Sequence, residues 1–362
     1  MDDLDQNIRF NESGVCNYCI QAESLLKKVH FLEDDSQKIL CKLAKNIKSK
    51  NKNGFYDCVI GLSGGVDSSY VAYLVKEMGL NPLAVHFDNG WNSETAVSNI
   101  KNLVNKLNID LTTYVVNWEE FKDLQRAFIK ASVVDIEIVT DFAIIGALLK
   151  FTKEHNIRYI IGGNNIATEH GMPPSWNWHK RDTRNIKSIH KRFGTRPIQS
   201  FPIVGLGKWF LIKYAGIPFR HIEILNLINY RKDKAMQILT EKLGWRYYGG
   251  KHYESIFTKF YQAYILPQKF RIDKRKVHLS ALIRNSEISR EDALTELEKP
   301  LYDTLELKND KEYFLKKLQF TEAEFDEIMQ QPPLPHDSYP SNIRWIKLLQ
   351  FLKRFFYSFN IK

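Results

Sequence analysis

The sequence predicts an α/β protein with a doubly wound parallel sheet, a small amino-terminal appendage and an α-rich carboxyl-terminal domain. Short apolar runs that suit buried strands alternate with segments whose apolar residues recur at helical spacing. Strands that alternate with helices pair in parallel, and the helices then cover both faces of the sheet. From about residue 230 onward the pattern is almost wholly helical, and 362 residues are long enough for two units.

The predicted elements fall into four regions. Residues 1–50 hold a Cys-x-x-Cys turn and a helix over 22–47. Residues 51–229 form the sheet domain, with strands over 56–62, 82–87, 111–116 and 158–161 and helices over 66–78, 93–107 and 136–154. Residues 230–340 form the helical domain, and residues 341–362 form a basic amphipathic helix.

The composition indicates a cytoplasmic protein and leaves two explanations for its basic charge open. Four cysteines do not make a disulfide framework, and no basic stretch after Met1 leads into an apolar run. The most apolar run, residues 142–151, is too short to span a bilayer. A net charge of +10 favours polyanions such as tRNA, phosphorylated small molecules or an anionic membrane face. Solvated lysine-rich faces explain the charge equally well.

A glycine- and serine-rich loop carries the strongest sequence signal. Ser63-Gly64-Gly65-Val66-Asp67-Ser68-Ser69 follows a predicted buried strand and opens a predicted helix. The backbone N–H groups of such a loop point at one spot, the helix dipole reinforces them, and three serine hydroxyls add donors. The loop therefore fits a pyrophosphate group. It is not a Walker A loop or a dinucleotide fingerprint, because neither spacing is present.

This loop resembles the PP-loop of the ATP pyrophosphatases, whose pattern is Ser-Gly-Gly-x-Asp-Ser. The resemblance implies an adenine nucleotide alpha hydrolase-like fold and cleavage of ATP to AMP and pyrophosphate. It also implies that Ser63 and Asp67 are catalytic, that Asp67 holds Mg²⁺, and that residues 63–69 bind the nucleotide. The structural alternative is a capped helix after a tight turn, with Asp67 or Ser63 as the cap.

Other candidate ligand contacts follow the predicted strands, where a doubly wound sheet binds its ligands. Asp88 ends the second strand and either contacts adenine or ribose or serves as a turn aspartate. Gly162 and Gly163 end the fourth strand and either let the backbone approach a phosphate or serve only the turn, with Asn164 next to the acceptor. Asp141 either caps the helix that follows it or faces the ligand.

Several stretches resemble the N-acetyl sugar amidotransferase family. They are residues 7–19, Lys251-His252-Tyr253-Glu254-Ser255, Phe260-Tyr261-Gln262, Leu266-Pro267, residues 272–280 and Arg290-Glu291-Asp292-Ala293-Leu294. The resemblance covers nearly the whole chain to about residue 300. It implies conversion of an acetamido group on a nucleotide-linked sugar to an acetamidino group, in lipopolysaccharide, other surface-polysaccharide or nonulosonic-acid biosynthesis. It also implies ammonia from a glutaminase subunit, passed through a barrel subunit; both resemble those of imidazole glycerol phosphate synthase.

The implied reaction is chemically coherent. An amide oxygen is a poor leaving group, whereas an adenylylated oxygen leaves as AMP when ammonia attacks, and the loop stabilises the departing pyrophosphate. Lys274 and Arg275 are the expected phosphate contacts, and His252 and Glu254 are expected near the acceptor. The alternative for these residues is a basic solvated helix face. No glutaminase Cys-His-Glu constellation is evident, so ammonia is expected from a partner.

A basic segment and a cysteine pair each leave two interpretations open. Seven Lys or Arg residues lie over 180–196 between aromatic residues, which predicts either a site for a nucleotide-sugar diphosphate or a mobile solvated loop. Cys16 and Cys19 have the spacing of half a tetrahedral zinc site. The family resemblance places another cysteine pair upstream of the position matching Met1. Either the true start lies upstream, or this member has lost the site.

The last 22 residues have three possible roles, and two other function classes remain open for the whole chain. The tail over 341–362 has an apolar helical face and basic but no acidic residues, so it docks on its own domain, binds a partner or contacts the anionic inner face of a membrane. A tRNA-modifying PP-loop enzyme would explain the basic charge, but the carboxyl half argues against a nucleic-acid partner. A non-catalytic nucleotide-binding subunit is opposed by the intact loop.

Overall fold

A five-stranded parallel sheet forms the centre of the protein in a computed structural model, which describes residues 5–29, 33–51, 54–205 and 219–349. The strands are β1 (Cys58–Gly61), β2 (Pro82–Asp88), β3 (Asp110–Val115), β4 (Tyr159–Gly162) and β5 (Arg220–Glu223). Their order across the sheet is β3-β2-β1-β4-β5. In the central register Ile60 of β1 lies between Ala84 of β2 and Ile161 of β4.

The strand order reverses between β1 and β4. The chain adds β2 and then β3 on one side of β1, and it returns to add β4 and β5 on the other side. In open α/β sheets, ligands bind beyond the carboxyl ends of the strands at such a switch point. The glycine- and serine-rich loop after β1 and the Gly162-Gly163 turn after β4 both lie at this point, which confirms the predicted doubly wound fold.

Helices flank the sheet and make up most of the carboxyl-terminal region. In the amino-terminal and sheet regions they are α1 (Asn17–Val29), α2 (Glu33–Lys50), α3 (Val66–Glu77), α4 (Glu94–Leu107), α5 (Trp118–Lys130), α6 (Ile138–Glu154), α7 (Ile166–Glu169) and α8 (Thr183–Phe193). Further along are α9 (Lys232–Leu243), α10 (Ile256–Phe260), which continues as a π-helix (Tyr261–Phe270), α11 (Arg275–Arg284), α12 (Arg290–Glu298), α13 (Thr304–Leu318) and α14 (Glu322–Gln330).

Two apolar cores lie against the sheet and a third joins it to the carboxyl-terminal helices. On one face α3, α4 and α9 cover the alternate residues of the strands, such as Ile60 and Ile161. On the other face α6 covers Val59 and Val85. Aromatic residues from α5, α10, α13 and α14, among them Phe128, fill the third core. Because the third core contains both regions, the carboxyl-terminal helices are packed directly onto the sheet domain.

Several predicted elements differ from the observed ones. The helix expected over 22–47 is two helices, α1 and α2. The basic segment over 180–196 contains α8, whose Ile186 and Ile189 are fully buried, so the mobile-loop interpretation is wrong. The tail is helical over 343–349, and residues 350–362 lie outside the described part, so the prediction for them remains untested. None of the described helices is long and apolar enough to cross a membrane.

Candidate active site

The loop after β1 is held in one conformation by its glycines and by long-range contacts. Gly64 has a φ of +82°, and a Cβ there would lie 2.5 Å from the Ala96 carbonyl oxygen, so only glycine fits. The Trp245 indole donates to the Gly64 carbonyl at 2.9 Å. Gly65 is the residue that precedes α3, and no side chain caps the helix, so the interpretation of Asp67 or Ser63 as its cap is wrong.

The loop serines form a connected set of donors at the start of α3. The Ser63 and Ser68 hydroxyls lie 3.1 Å apart, and Ser63 Oγ accepts from the Gly65 N–H at 3.2 Å. Ser69 Oγ is buried and has no hydrogen-bond partner in the described part of the chain. Together with the backbone N–H groups, these hydroxyls make a compact anion-binding end of a helix.

Asp67 is partly buried at the centre of an ionic cluster, with 17% of its side chain exposed. The Tyr230 hydroxyl donates to its Oδ1, and the Lys251 ammonium lies 3.7 Å from its Oδ2. Burial raises the pKa of Asp67, while the Lys251 charge opposes that rise. Gly163 passes so close that a Cβ there would lie 3.2 Å from the Asp67 carbonyl oxygen. The structure therefore brings the predicted Asp67 and Gly163 together.

Lys251 is the main site residue that was not singled out from the sequence. Its ammonium donates to Thr168 Oγ1 at 2.9 Å and lies 3.3 Å from Glu169 Oε1, which ties it to α7 as well as to Asp67. The carboxylates outweigh the effect of burial and raise the pKa of Lys251, so the ammonium stays charged. The sequence contained one indication of this role: Lys251 lies in the same family-like stretch as His252 and Glu254.

His252 and Glu254 lie at the loop, as expected for groups near a reacting centre. Glu254 Oε1 accepts from the Ser63 hydroxyl at 3.4 Å and lies 3.9 Å from His252 Nδ1. The segment is anchored by an antiparallel bridge between Asn92 and Ser255. The carboxyl-terminal half of the chain thus contributes side chains directly to the loop that ends β1.

Asp88 and Asn164 lie at the same edge of the sheet. Asp88 Oδ1 accepts from the Gly90 N–H at 2.9 Å, as a turn aspartate does, and from Asn92 Nδ2 at 3.4 Å. Asn164 is exposed directly after Gly163. A role for either residue toward adenine, ribose or acceptor stays a prediction.

The two predicted phosphate contacts of α11 have different environments. The Arg275 guanidinium forms a bidentate pair with Asp273 and donates to the Glu296 and Lys299 carbonyl groups. These bonds join the start of α11 to the end of α12, so the group is already engaged in structure. Lys274 is not engaged in this way; its ammonium lies 5.4 Å from the centre of the Tyr261 ring.

A second polar cluster surrounds Asp141. Lys180 contacts both Asp141 and Asp135, and the carboxylates raise its pKa against the effect of burial. Asp141 lies in the first turn of α6, whose cap position is Glu137, so the interpretation of Asp141 as the helix cap is wrong. The Trp178 ring near this cluster is stacked on the His336 ring, with 5.0 Å between the ring centres.

The cysteine pair does not form a metal centre with other described residues. The Cys19 N–H points at Cys16 Sγ, 3.4 Å away, and Arg284 donates to Cys19 Sγ at 3.1 Å. Within the described ranges no group of three or more His, Cys, Asp or Glu side chains could hold a metal ion. Structural zinc sites use four ligands, so zinc is not supported by these residues.

Two family models match separate parts of the chain. The NAD synthase model matches residues 39–143, which contain the loop, α3 and β2. The model described as "LPS biosynthesis protein WbpG-like, C-terminal domain" matches residues 254–353, from Glu254 through the carboxyl-terminal helices.

Individual proteins match over shorter stretches or at low identity. An uncharacterised protein of Methanocaldococcus jannaschii is 26% identical over 164 residues, 45% of this chain and 56% of that protein. A tRNA(Ile)-lysidine synthase of Chlamydia pneumoniae is 32% identical over 99 residues, 26% of this chain and 29% of that protein. The chain thus spans about half or less of the length of these curated relatives.

Solved structures of two synthetases are also similar in part. An NH3-dependent NAD synthetase from Campylobacter jejuni is 18% identical and covers 83% of this chain and 99% of its own, with a TM-score of 0.33. An NMN synthetase from Francisella tularensis is 24% identical and covers 37% of this chain and 55% of its own, with a TM-score of 0.29.

The two matched regions are connected through the candidate active site. The amino-terminal match contains an intact PP-loop, and the carboxyl-terminal match begins at Glu254, whose side chain contacts the loop serine. The two matched regions therefore meet in one site. Together, the NAD synthase-like region with its PP-loop and the WbpG-like carboxyl-terminal region support a WbpG-like PP-loop amidotransferase family.

Proposed function

We propose that this chain is the synthetase subunit that adenylylates the acetamido oxygen of a nucleotide-linked N-acetyl sugar and lets ammonia displace AMP. The product is the acetamidino sugar, with AMP and pyrophosphate released. The single observation that carries the proposal is the meeting of Lys251, His252 and Glu254 with the loop serines and Asp67. An ATP-using loop and ionisable groups suited to an acceptor thus share one site.

Pyrophosphate binding would come from the loop itself. The N–H groups at the start of α3 and the Ser63 and Ser68 hydroxyls supply donors fixed before the substrate arrives. Lys251 adds a charged ammonium on the side of Asp67. Donors that are already oriented stabilise developing negative charge on the departing group without reorganisation.

The residues present also fit Mg²⁺. Asp67 already pairs with a cation, the Lys251 ammonium, which lies 3.7 Å from its carboxylate. Mg²⁺ in nucleotide sites uses one or two protein carboxylates, with phosphate oxygens and water completing the shell. Asp67 would hold the ion, and the ion would supply neutralisation of the triphosphate charge.

The acceptor chemistry proceeds in two displacements. The acetamido oxygen attacks the α-phosphorus of ATP, and pyrophosphate leaves toward the loop. Ammonia then attacks the imidate carbon, and the C–O bond to AMP breaks. The first displacement needs the oxygen held in line with the departing pyrophosphate, which the rigid loop and the anchored Lys251–Ser255 segment would ensure by positioning.

The experiment replaces Asp67 by asparagine. Asp67→Asn keeps the shape and an acceptor for the Tyr230 hydroxyl but removes the charge. We expect acceptor-dependent release of AMP and pyrophosphate to fall by about 100-fold or more, as for loss of other preorganised electrostatic groups. The assay supplies ATP, Mg²⁺, ammonium and a panel of probes: UDP-N-acetylglucosamine, UDP-N-acetylgalactosamine and CMP-N-acetylneuraminic acid.

The matched control is Asp110→Asn at the edge of the sheet. Asp110 also accepts a hydrogen bond from a tyrosine, Tyr56, at 2.9 Å, but it lies on β3 away from the loop. This variant should retain wild-type release. Near wild-type turnover by Asp67→Asn would contradict the role of the loop, and no release with any of the three probes by the wild-type chain would contradict the acceptor class.

A tRNA-modifying enzyme is the second candidate. The partial similarity to a tRNA(Ile)-lysidine synthase and the net charge of +10 favour it. The WbpG-like carboxyl-terminal match opposes it. Binding of total tRNA with a steep dependence on salt would support this candidate, and its absence at low salt would remove it.

A further inference from the structure

His252 has a backbone conformation that residues with side chains seldom adopt. Its φ is +66°, in the left-handed region. The neighbouring chain fixes it on both sides: Lys251 is held by ion pairs to Asp67 and Glu169, and Ser255 is bridged to the segment before α4. Strain that the surroundings hold in place is concentrated at functional sites.

Two carboxylates flank the His252 ring. Its Nδ1 lies 3.9 Å from Glu254 Oε1, and its Nε2 lies 3.9 Å from Glu169 Oε1. Both separations are too long for hydrogen bonds, yet both carboxylates stabilise positive charge on the ring. Glu254 Oε2 is buried and has no hydrogen-bond partner among the described residues. The Glu254 carboxylate therefore links the ring to the loop serine and retains an uncommitted oxygen.

A second histidine lies beside the His252 ring. The His278 ring of α11 lies 5.9 Å from the His252 ring, and the charges of Lys251, Lys232 and Lys274 act on it. Burial, with those charges, holds the pKa of His278 well below its usual value. Burial also opposes charge on His252, but the Glu254 carboxylate outweighs it and raises its pKa. His252 is thus the stronger base of the two.

We propose that His252 is the catalytic proton acceptor of the second displacement and that Glu254 positions its ring. This inference rests on the proposed function. The ammonia lone pair forms the C–N bond to the protonated adenylyl imidate, and His252 Nε2 takes one proton from that nitrogen. The C–O bond then breaks, its electron pair leaves with AMP, and the amidinium product keeps the remaining protons. Glu169 and Glu254 stabilise the imidazolium that forms.

The backbone geometry supplies a clean test. Glycine adopts a φ of +66° without strain, so His252→Gly removes the ring and keeps the local fold. We expect formation of the acetamidino sugar to fall by about 100-fold or more. Added imidazole should restore part of it, in proportion to the neutral imidazole present. Acceptor-dependent exchange of labelled pyrophosphate into ATP, which reports only the first displacement, should be retained.

The matched control is Asn108→Gly. Asn108 also has a left-handed backbone, with a φ of +48°, but it lies at the end of α4 before β3, at the opposite end of the strands. This variant should form product at the wild-type rate and show no response to imidazole.

Glu254→Gln tests the positioning role through the pH profile. Loss of the carboxylate removes the charge that raises the His252 pKa, so the acidic limb of product formation should move to lower pH while the maximal rate falls. A merely structural role would lower the rate without moving that limb.

Four outcomes would contradict either the inference or the proposed function on which it rests. Product formation by His252→Gly at the wild-type rate, or a loss that imidazole does not relieve, overturns His252 as the base. An unshifted limb in Glu254→Gln overturns the role of Glu254. Absence of acceptor-dependent exchange with all three sugar probes in the wild-type chain instead contradicts the proposed function itself, and that separates the two failures.

Discussion

At the scale of single residues, the site depends on which side chains meet in the cluster around Asp67 and which are engaged elsewhere in the fold. Asp67 stands in a pattern whose spacing alone identifies a phosphate loop, and the structure places it at the centre of the ionic cluster. Apart from its place in a family-like stretch, nothing in the sequence distinguishes Lys251 from the other lysines, and only the tertiary structure places it beside Asp67. Arg275 shows the reverse: it is a basic residue in a family-like stretch, but its guanidinium is already bonded to Asp273 and to three backbone carbonyl groups.

Gly64 provides a prediction at this scale. Gly64→Ala should lose ATP binding, because the new Cβ would meet the Ala96 carbonyl oxygen at 2.5 Å and must displace the loop. Gly79→Ala is the control, since its φ of +68° is similar but its Cβ would meet only the flexible end of Lys48 at 3.6 Å. Both variants should lose about 1–2 kcal/mol of stability from the left-handed backbone. Calorimetric titration with ATP distinguishes them: binding retained by Gly64→Ala would contradict the geometry.

At the scale of elements, the sequence was informative where apolar residues were periodic and uninformative where polar residues were buried. The strands β1, β2 and β4 are apolar runs and were predicted within one or two residues. Helix α5 was missed because its buried Glu120 and Asp123 interrupt the apolar pattern; they accept hydrogen bonds from the chain around Ser200 and Thr195 instead. Strand β5 was missed because it is short and largely exposed.

The tail helix gives the prediction for this scale. Ile346 is buried and the Asn342 N–H donates to Asp182 at 2.9 Å, so the helix begins docked on the body. Trp345, Leu348 and Leu349 are exposed beside it, and residues 341–362 contain no acid. The tail could dock on its own domain, bind a partner or contact a membrane. Membrane contact best explains why all of its charged residues are basic. Full-length chain should sediment with anionic phosphatidylserine vesicles at low salt.

Truncation after Ile346 tests this prediction, because it keeps the docking contacts of the tail helix and removes residues 347–362. The truncated chain should stay in the supernatant with unchanged melting temperature and turnover, and neutral phosphatidylcholine vesicles should bind neither chain. A large drop in melting temperature would favour intramolecular docking, and lost co-purification with a partner would favour an assembly role. A full-length chain that never sediments with anionic vesicles would end the membrane interpretation.

At the scale of the whole molecule, the fold class was predictable and the packing of its two halves was not. Alternating strands and helices specify a parallel sheet, and the position of the loop after β1 specifies which end binds the ligand. Nothing in local periodicity specifies that α10 and α13 share a core with α5. That packing carries Lys251–Ser255 to the loop, and so the site depends on contacts that only the tertiary structure reveals.

The nitrogen source is a prediction for the whole molecule. In the proposed reaction the nitrogen must arrive as ammonia, because ammonium has no lone pair to attack the imidate carbon. A partner glutaminase with a barrel subunit would deliver it uncharged and away from solvent, whereas the isolated chain must draw on free ammonia. The pure chain should therefore form product with high ammonium, faster as the pH rises and the free-ammonia fraction grows, and should not use glutamine.

Adding a glutaminase subunit and its barrel subunit should make glutamine effective at neutral pH. Glutamine-dependent turnover by the pure chain alone, measured by mass spectrometry with amide-labelled glutamine, would contradict the need for a partner.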